Sequence, residues 1–113
     1  MISSEQVGGA DGPVGTVRVA VTSDAVRITL SGEIDVLLDD ELDDAARAVR
    51  EHQLPVEVDA TAVTFMDSTG VRFIGRCYGQ GALTVAASPI VRFLLEILAM
   101  DDVLPKKADA HSG

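Results

Sequence analysis

From Thr16 onward the apolar residues of this chain switch repeatedly between two spacings, and few architectures satisfy both. Val17, Val19 and Val21 alternate with Arg18 and Ala20, the period of a half-buried strand. Ser23-Asp24 supplies turn chemistry, and Val26, Ile28 and Leu30 resume the alternation, predicting a hairpin whose second strand ends at Gly32. The spacing then lengthens. Leu38, Leu42, Ala45 and Val49 fall on one helical face. Pro55 opens a third strand through Val56, Val58 and Ala60, with Val63 and Phe65 continuing the apolar run. Val71, Ile74 and Tyr78 return to helical spacing, stopped by Gly79 and Gly81. Leu83–Ala87 reads as a short buried strand. Ser88-Pro89 starts a last helix, Ser as cap and Pro at the first helical position, running to about Met100.

The order is β-β-α-β-α-β-α. Strands alternating with helices call for right-handed crossovers, so the expected fold is α/β: a four-stranded, mostly parallel mixed sheet, its first strand antiparallel, packed against helices. Residues 1–15 and 105–113, rich in small and polar types without periodicity, are expected to be flexible tails around a single domain at 16–104. At 113 residues there is material for one domain, and 47% hydrophobic residues suffice for one core.

Charge narrows the partners. Nine basic against eighteen acidic residues leave a formal charge of −9, which repels phosphate backbones and anionic lipid. Neither nucleic acid nor membrane is expected as a partner, and no stretch approaches the roughly 18 apolar residues of a membrane span. The start shows no basic region followed by an apolar run, and the single cysteine, Cys77, forms no internal disulfide. A cytoplasmic protein is expected.

Catalytic chemistry is hard to find. His52 and His111 are the only histidines, and neither neighbours a nucleophile in the pattern. Ser68 lies in Phe65-Met-Asp-Ser-Thr-Gly70, not in a Gly-x-Ser-x-Gly elbow. No glycine-rich loop precedes a lysine, and no Cys/His cluster could hold zinc, so no enzyme, metal or cofactor is expected. The acidic run Asp39-Asp40-Glu41 with Asp43-Asp44 reads as a solvated helix face rather than a docking patch. Cys77, among apolar residues, reads as a buried inert thiol rather than a redox sensor. The last helix is apolar nearly all round, with only Arg92 and Glu96 as a polar stripe: either it is mostly core, or part of it contacts a partner or second copy.

One junction stands out. Asp67-Ser68-Thr69-Gly70 follows a strand and opens a helix. Asp, Ser and Thr are ordinary helix caps, which explains them locally. The same position projects hydroxyls at the strand ends, where open α/β sheets bind ligands, and free N–H groups at a helix start tolerate a phosphate.

At these residues the chain resembles the STAS domain of the anti-sigma factor antagonist type, over roughly Val17 to Leu104. Three segments carry the resemblance: Leu30-Ser31-Gly32-Glu33-Ile34-Asp35, similar to the family's Gly-Glu-Leu-Asp at the end of the second strand; Val56-Glu57-Val58-Asp59 through Val63-Thr64-Phe65-Met66-Asp67-Ser68-Thr69-Gly70; and Ala86-Ala87-Ser88-Pro89-Ile90-Val91-Arg92-Phe93-Leu94-Leu95, similar to its fourth strand and last helix. The resemblance implies a partner switch. An anti-sigma factor that is also a Ser kinase would phosphorylate Ser68, with Thr69 the less favoured acceptor. The unphosphorylated form would bind that anti-sigma factor and so free a sigma factor; the phosphorylated form would let go until a PP2C-type phosphatase resets it. Asp35 would help the kinase dock, Asp67 would shape the cap, and Gly70 would admit the partner's backbone. ATP would bind the kinase, leaving this chain without a cofactor, as a monomer or weak homodimer. The alternative is a STAS accessory subunit of a transporter or signalling complex without sigma-factor control. Two departures bear on partner choice. Gly70-Val71-Arg72 stands where the family often has Gly-Leu-Gly, giving Arg72 an i+4 reach to Ser68, and the segment from Gly70 to Pro89 is shorter by about one helical turn.

Overall fold

The computed structural model describes residues 14–105. Four strands form one sheet in sequence order: β1 (Thr16–Val21), β2 (Val26–Ile34), β3 (Val56–Met66) and β4 (Leu83–Ala87). β1 pairs antiparallel with β2; β2 with β3 and β3 with β4 are parallel. Helices α1 (Asp39–His52), α2 (Ser68–Tyr78) and α3 (Pro89–Ile97) make the crossovers and the final cover. The α/β order and the mixed sheet expected from the periodicity are those observed.

All three helices pack on one face of the sheet. That face carries Val26, Ile28, Leu30, Val56, Val58, Ala60 and Val85, joined in one core by Leu42, Ala45 and Val49 of α1, Phe73, Ile74 and Cys77 of α2, and Val91 and Leu95 of α3. The alternate positions Arg27, Thr29, Glu57, Asp59 and Thr84 are exposed on the open face. There Arg27 Nε meets Glu57 Oε1 at 3.0 Å across paired strand positions.

Several sequence expectations are corrected. β1 is not half-buried: only Val17 packs partly against the core, while Val19 and Val21 are exposed, because an edge strand extends beyond what the helices cover. Gly32 does not end β2. It sits at +74° in φ beside a shift in register, and the strand resumes to Ile34. β3 accommodates two such shifts: the first brings Val63 to the buried side, and the second restores the original alternation, which leaves Phe65 facing solvent. Tyr78 is likewise exposed, its hydroxyl donating to Asp102 Oδ2 at 3.0 Å. α3 stops at Ile97 rather than Met100. Ala99 takes a left-handed φ of 58°, and the Met100 amide folds back to the Leu95 carbonyl at 2.8 Å, a wrap that ends helices. Ser88 stands at the head of α3, yet its hydroxyl is buried without a hydrogen-bond partner; the preset φ of Pro89, not a side-chain cap, starts that helix.

The segments read as tails lie, except for residues 14, 15 and 105, outside the described residues. Gly15 is buried, and a Cβ there would strike the backbone of Glu33 and Ser31. Gly15 therefore packs closely against β2 just before β1 begins.

Candidate functional site

β2 and β3 run in parallel and end together, with Ile34 paired to Met66. The next residue on each is an aspartate, and the two do the same work. Asp35 Oδ1 accepts from the Leu37 amide at 3.0 Å, capping a 3-10 turn at Val36–Leu38; Asp67 Oδ1 accepts from the Thr69 amide at 2.8 Å, capping α2. Both hold the extended backbone that a cap residue needs. The Asp67 amide donates to the Ile34 carbonyl at 3.1 Å, fastening the two ends together. Asp35 and the Asp67–Gly70 segment, far apart in sequence, thus share one rim at the carboxyl ends of the central strands.

Burial divides the segment after Asp67. Ser68, the first residue of α2, is exposed; Thr69 is only 6% exposed, and Gly70 is buried. A Cβ on Gly70 would meet Met66 Cγ at 2.5 Å and Ile34 Cγ2 at 3.0 Å. What approaches this glycine closely within the fold is this chain's own Met66 and Ile34, where α2 seats on the strand ends. The helix start is also less open to an anion than the sequence implied, since one free N–H, that of Thr69, is already taken by Asp67.

Arg72 is exposed, and among the described residues it makes no ion pair. It adds a favourable field at Asp43 on α1, whose main partner is Arg76. Arg76 Nη1 bonds Asp43 Oδ1 at 2.7 Å, and this hydrogen bond holds the Asp43 carboxyl below its ordinary range. Cys77 lies under the same helix, 1% exposed, and burial pushes its thiol up to about 12. It has no reactive thiolate at neutral pH.

Val36 and Leu37, 64% and 53% exposed, sit on the turn capped by Asp35 and add an apolar patch to the rim. Sequence reasoning does not single them out, because adjacent apolar residues before a helix read as its first core contacts. The available signal is the capping Asp35 directly before them, which starts a turn one step too early for both to face inward. Among the described residues no cluster of His, Cys, Asp or Glu could hold a metal ion, and no helix is long and apolar enough to cross a membrane. A shallow depression on the open sheet face, lined by Arg27, Thr29, Glu57, Asp59 and Thr84, includes none of the rim residues.

The family model described as "Mlab, STAS domain" matches residues 17–105. The chain belongs to the STAS domain family. Among solved structures, this STAS domain is similar to an anti-sigma factor antagonist from Mycobacterium paratuberculosis, with 25% identity, a TM-score of 0.69, and 88% of each chain covered. It also shares its fold with the anti-sigma factor antagonist SpoIIAA in its unphosphorylated form, at 19% identity and a TM-score of 0.64, over 80% of this chain and 86% of that one. No curated protein matches.

Proposed function

We propose that this STAS domain, spanning residues 16–104, is an anti-sigma factor antagonist whose docking is switched off by phosphorylation of Ser68. One observation carries the reading. Ser68 is exposed on a rim between two capping aspartates, while the neighbouring hydroxyl residue, Thr69, is buried. A kinase approaching this rim meets one acceptor. The partner is an anti-sigma factor with Ser kinase activity, which supplies the ATP site; a PP2C-type phosphatase removes the phosphate. The domain acts by binding rather than turnover, in the cytoplasm with its partners.

The electrostatics support a switch that leaves the fold in place. Phosphate adds about −1.5 to −2 charge to an exposed side chain. In water that costs little. Within a desolvated interface, beside Asp67 and close to Asp35, an unpaired like charge costs several kcal/mol, on the order of a hundredfold or more in affinity. Asp67 keeps the Thr69 amide occupied, so the new phosphate stays outward-facing, available to repel a partner. Val36 and Leu37 provide the apolar contact that the charge interrupts.

The test is calorimetric binding of wild type, Ser68→Ala and Ser68→Asp to the cognate anti-sigma factor, with mass spectrometry after incubation with ATP. The reading expects one phosphate on wild type, none on Ser68→Ala, and binding lost in Ser68→Asp with an unchanged circular dichroism spectrum. Binding indifferent to Ser68→Asp would transfer the domain to the accessory-subunit alternative.

A further inference from the structure

We propose that α3 is a self-docking surface through which two copies of this chain associate about a two-fold axis, independently of the role given to Ser68. Only Val91 and Leu95 of this helix are fully buried. Phe93 and Ile97 are 57% and 62% exposed, and Leu98 beyond them is also exposed. One side of the helix serves the core and the other presents large apolar side chains to solvent, where they contribute nothing to a monomer.

Charge points to a second copy as the occupant. In a two-fold contact each surface meets itself, so any net charge it carries is doubled against itself. α1 bears six acidic residues against two arginines and would repel its own copy; α2 bears only Arg72 and Arg76 and would do the same. α3 carries one Arg92 and one Glu96, which cancel, in a chain of net charge −9. Among the described residues neither makes an ion pair, although their i,i+4 spacing permits one.

Their placement is also self-complementary. In an antiparallel helix pair with its two-fold axis beside Leu94, residues equally far before and after that point face one another. Arg92 of each copy then meets Glu96 of the other, twice, along one flank. Phe93 and Ile97, on the exposed side between the flanks, interleave at the centre. A nine-residue helix is only about 13.5 Å long, less than an interface of about 800 Å² per partner needs. The association is therefore reversible and concentration-dependent.

Sedimentation velocity on the full chain over a rising concentration series tests this. The weight-average mass should climb from 11.9 kDa toward twice that value. Phe93→Glu, and the milder Phe93→Ser, should hold it at the monomer with an unchanged circular dichroism spectrum. Arg92→Glu or Glu96→Arg alone should weaken association about tenfold or more by setting like charges face to face. The reversed pair, R92E/E96R, should restore it. A monomer at every concentration, association undiminished in Phe93→Glu, or a reversed pair no better than either single variant would each overturn the proposal.

Discussion

The Asp67 amide donates to the Ile34 carbonyl across 3.1 Å, so the start of α2 hangs from the end of the neighbouring strand. Ile34 and Met66 pair in register beneath that bond, and Gly70 settles on both. Ser68 consequently shares a rim with Asp35, although 33 positions of sequence separate them. The rim is fastened to the sheet on one side and presents Ser68 together with the apolar Val36 and Leu37 to water on the other.

The side chain of Asp67 should matter to stability as a hydrogen-bond acceptor. Asp67→Ala should destabilise the domain by about 1 kcal/mol in urea unfolding, the usual worth of a cap, and Asp67→Asn should recover most of it. Ser68→Asp, at an exposed position, should stay within about 0.5 kcal/mol of wild type. A cost confined to Ser68 would show that the cap is misassigned.

Two backbone positions should respond in opposite directions to substitutions that exchange glycine with another residue. Gly32 holds φ at +74°, and a Cβ there would collide with the Val14 carbonyl oxygen, so Gly32→Ala should cost about 1–3 kcal/mol. Gln53 follows α1 at φ 53°, a left-handed conformation that disfavours side chains. Gln53→Gly should stabilise by about 0.5–1 kcal/mol, seen as a higher denaturation midpoint with an unchanged slope.

Cys77 sets an alkaline limit. Its folded pKa, raised by burial to about 12, exceeds the ordinary thiol value of 9.0. The stability this represents is fully present below the unfolded value and is lost as pH rises from there through the folded one. Chemical denaturation should show declining stability from about pH 9 upward, and the slope should flatten in Cys77→Ala. A disulfide exchange reagent at pH 7 should react with Cys77 only after unfolding.

The acid side has a counterpart at the α1–α2 contact. The Arg76 hydrogen bond lowers the Asp43 pKa in the folded state, so its contribution is present above the unfolded value and is lost as pH falls through the folded one. Both side chains are substantially exposed, and salt should weaken the pair. Arg76→Gln should therefore differ from wild type near neutrality in low salt, with the difference closing in acid or in high salt.

Much of the rim can be read in the sequence because its instructions are local. Asp67 and Asp35 are cap residues at strand-to-helix changes of period, and the cap depends on the two or three residues that follow. What is not legible is which hydroxyl faces out. Ser68 and Thr69 are chemically similar neighbours, and only the seating of α2 against Met66 and Ile34 buries one and exposes the other. The exposure of Val36 and Leu37 is not legible either, for a related reason. Their exposure follows from the direction in which the Asp35 cap turns the chain, a three-dimensional quantity that hydrophobic spacing does not encode.

The α/β order and the Asp67 cap are readable from the sequence alone, because periodicity and local hydrogen bonding act over a few residues; the Ser88 cap and the burial of Tyr78, read in the same way, are not realised. Only the assembled fold shows that β1 and one side of α3 stay uncovered, that register shifts in β3 bury Val63 while Phe65 stays outside, and that Gly70 packs against Met66 and Ile34. Those outcomes depend on how far each helix extends over the sheet and on which atoms arrive from distant segments. An apolar residue carries the same preference for burial wherever it lies; whether another layer reaches it is settled only by the assembled fold.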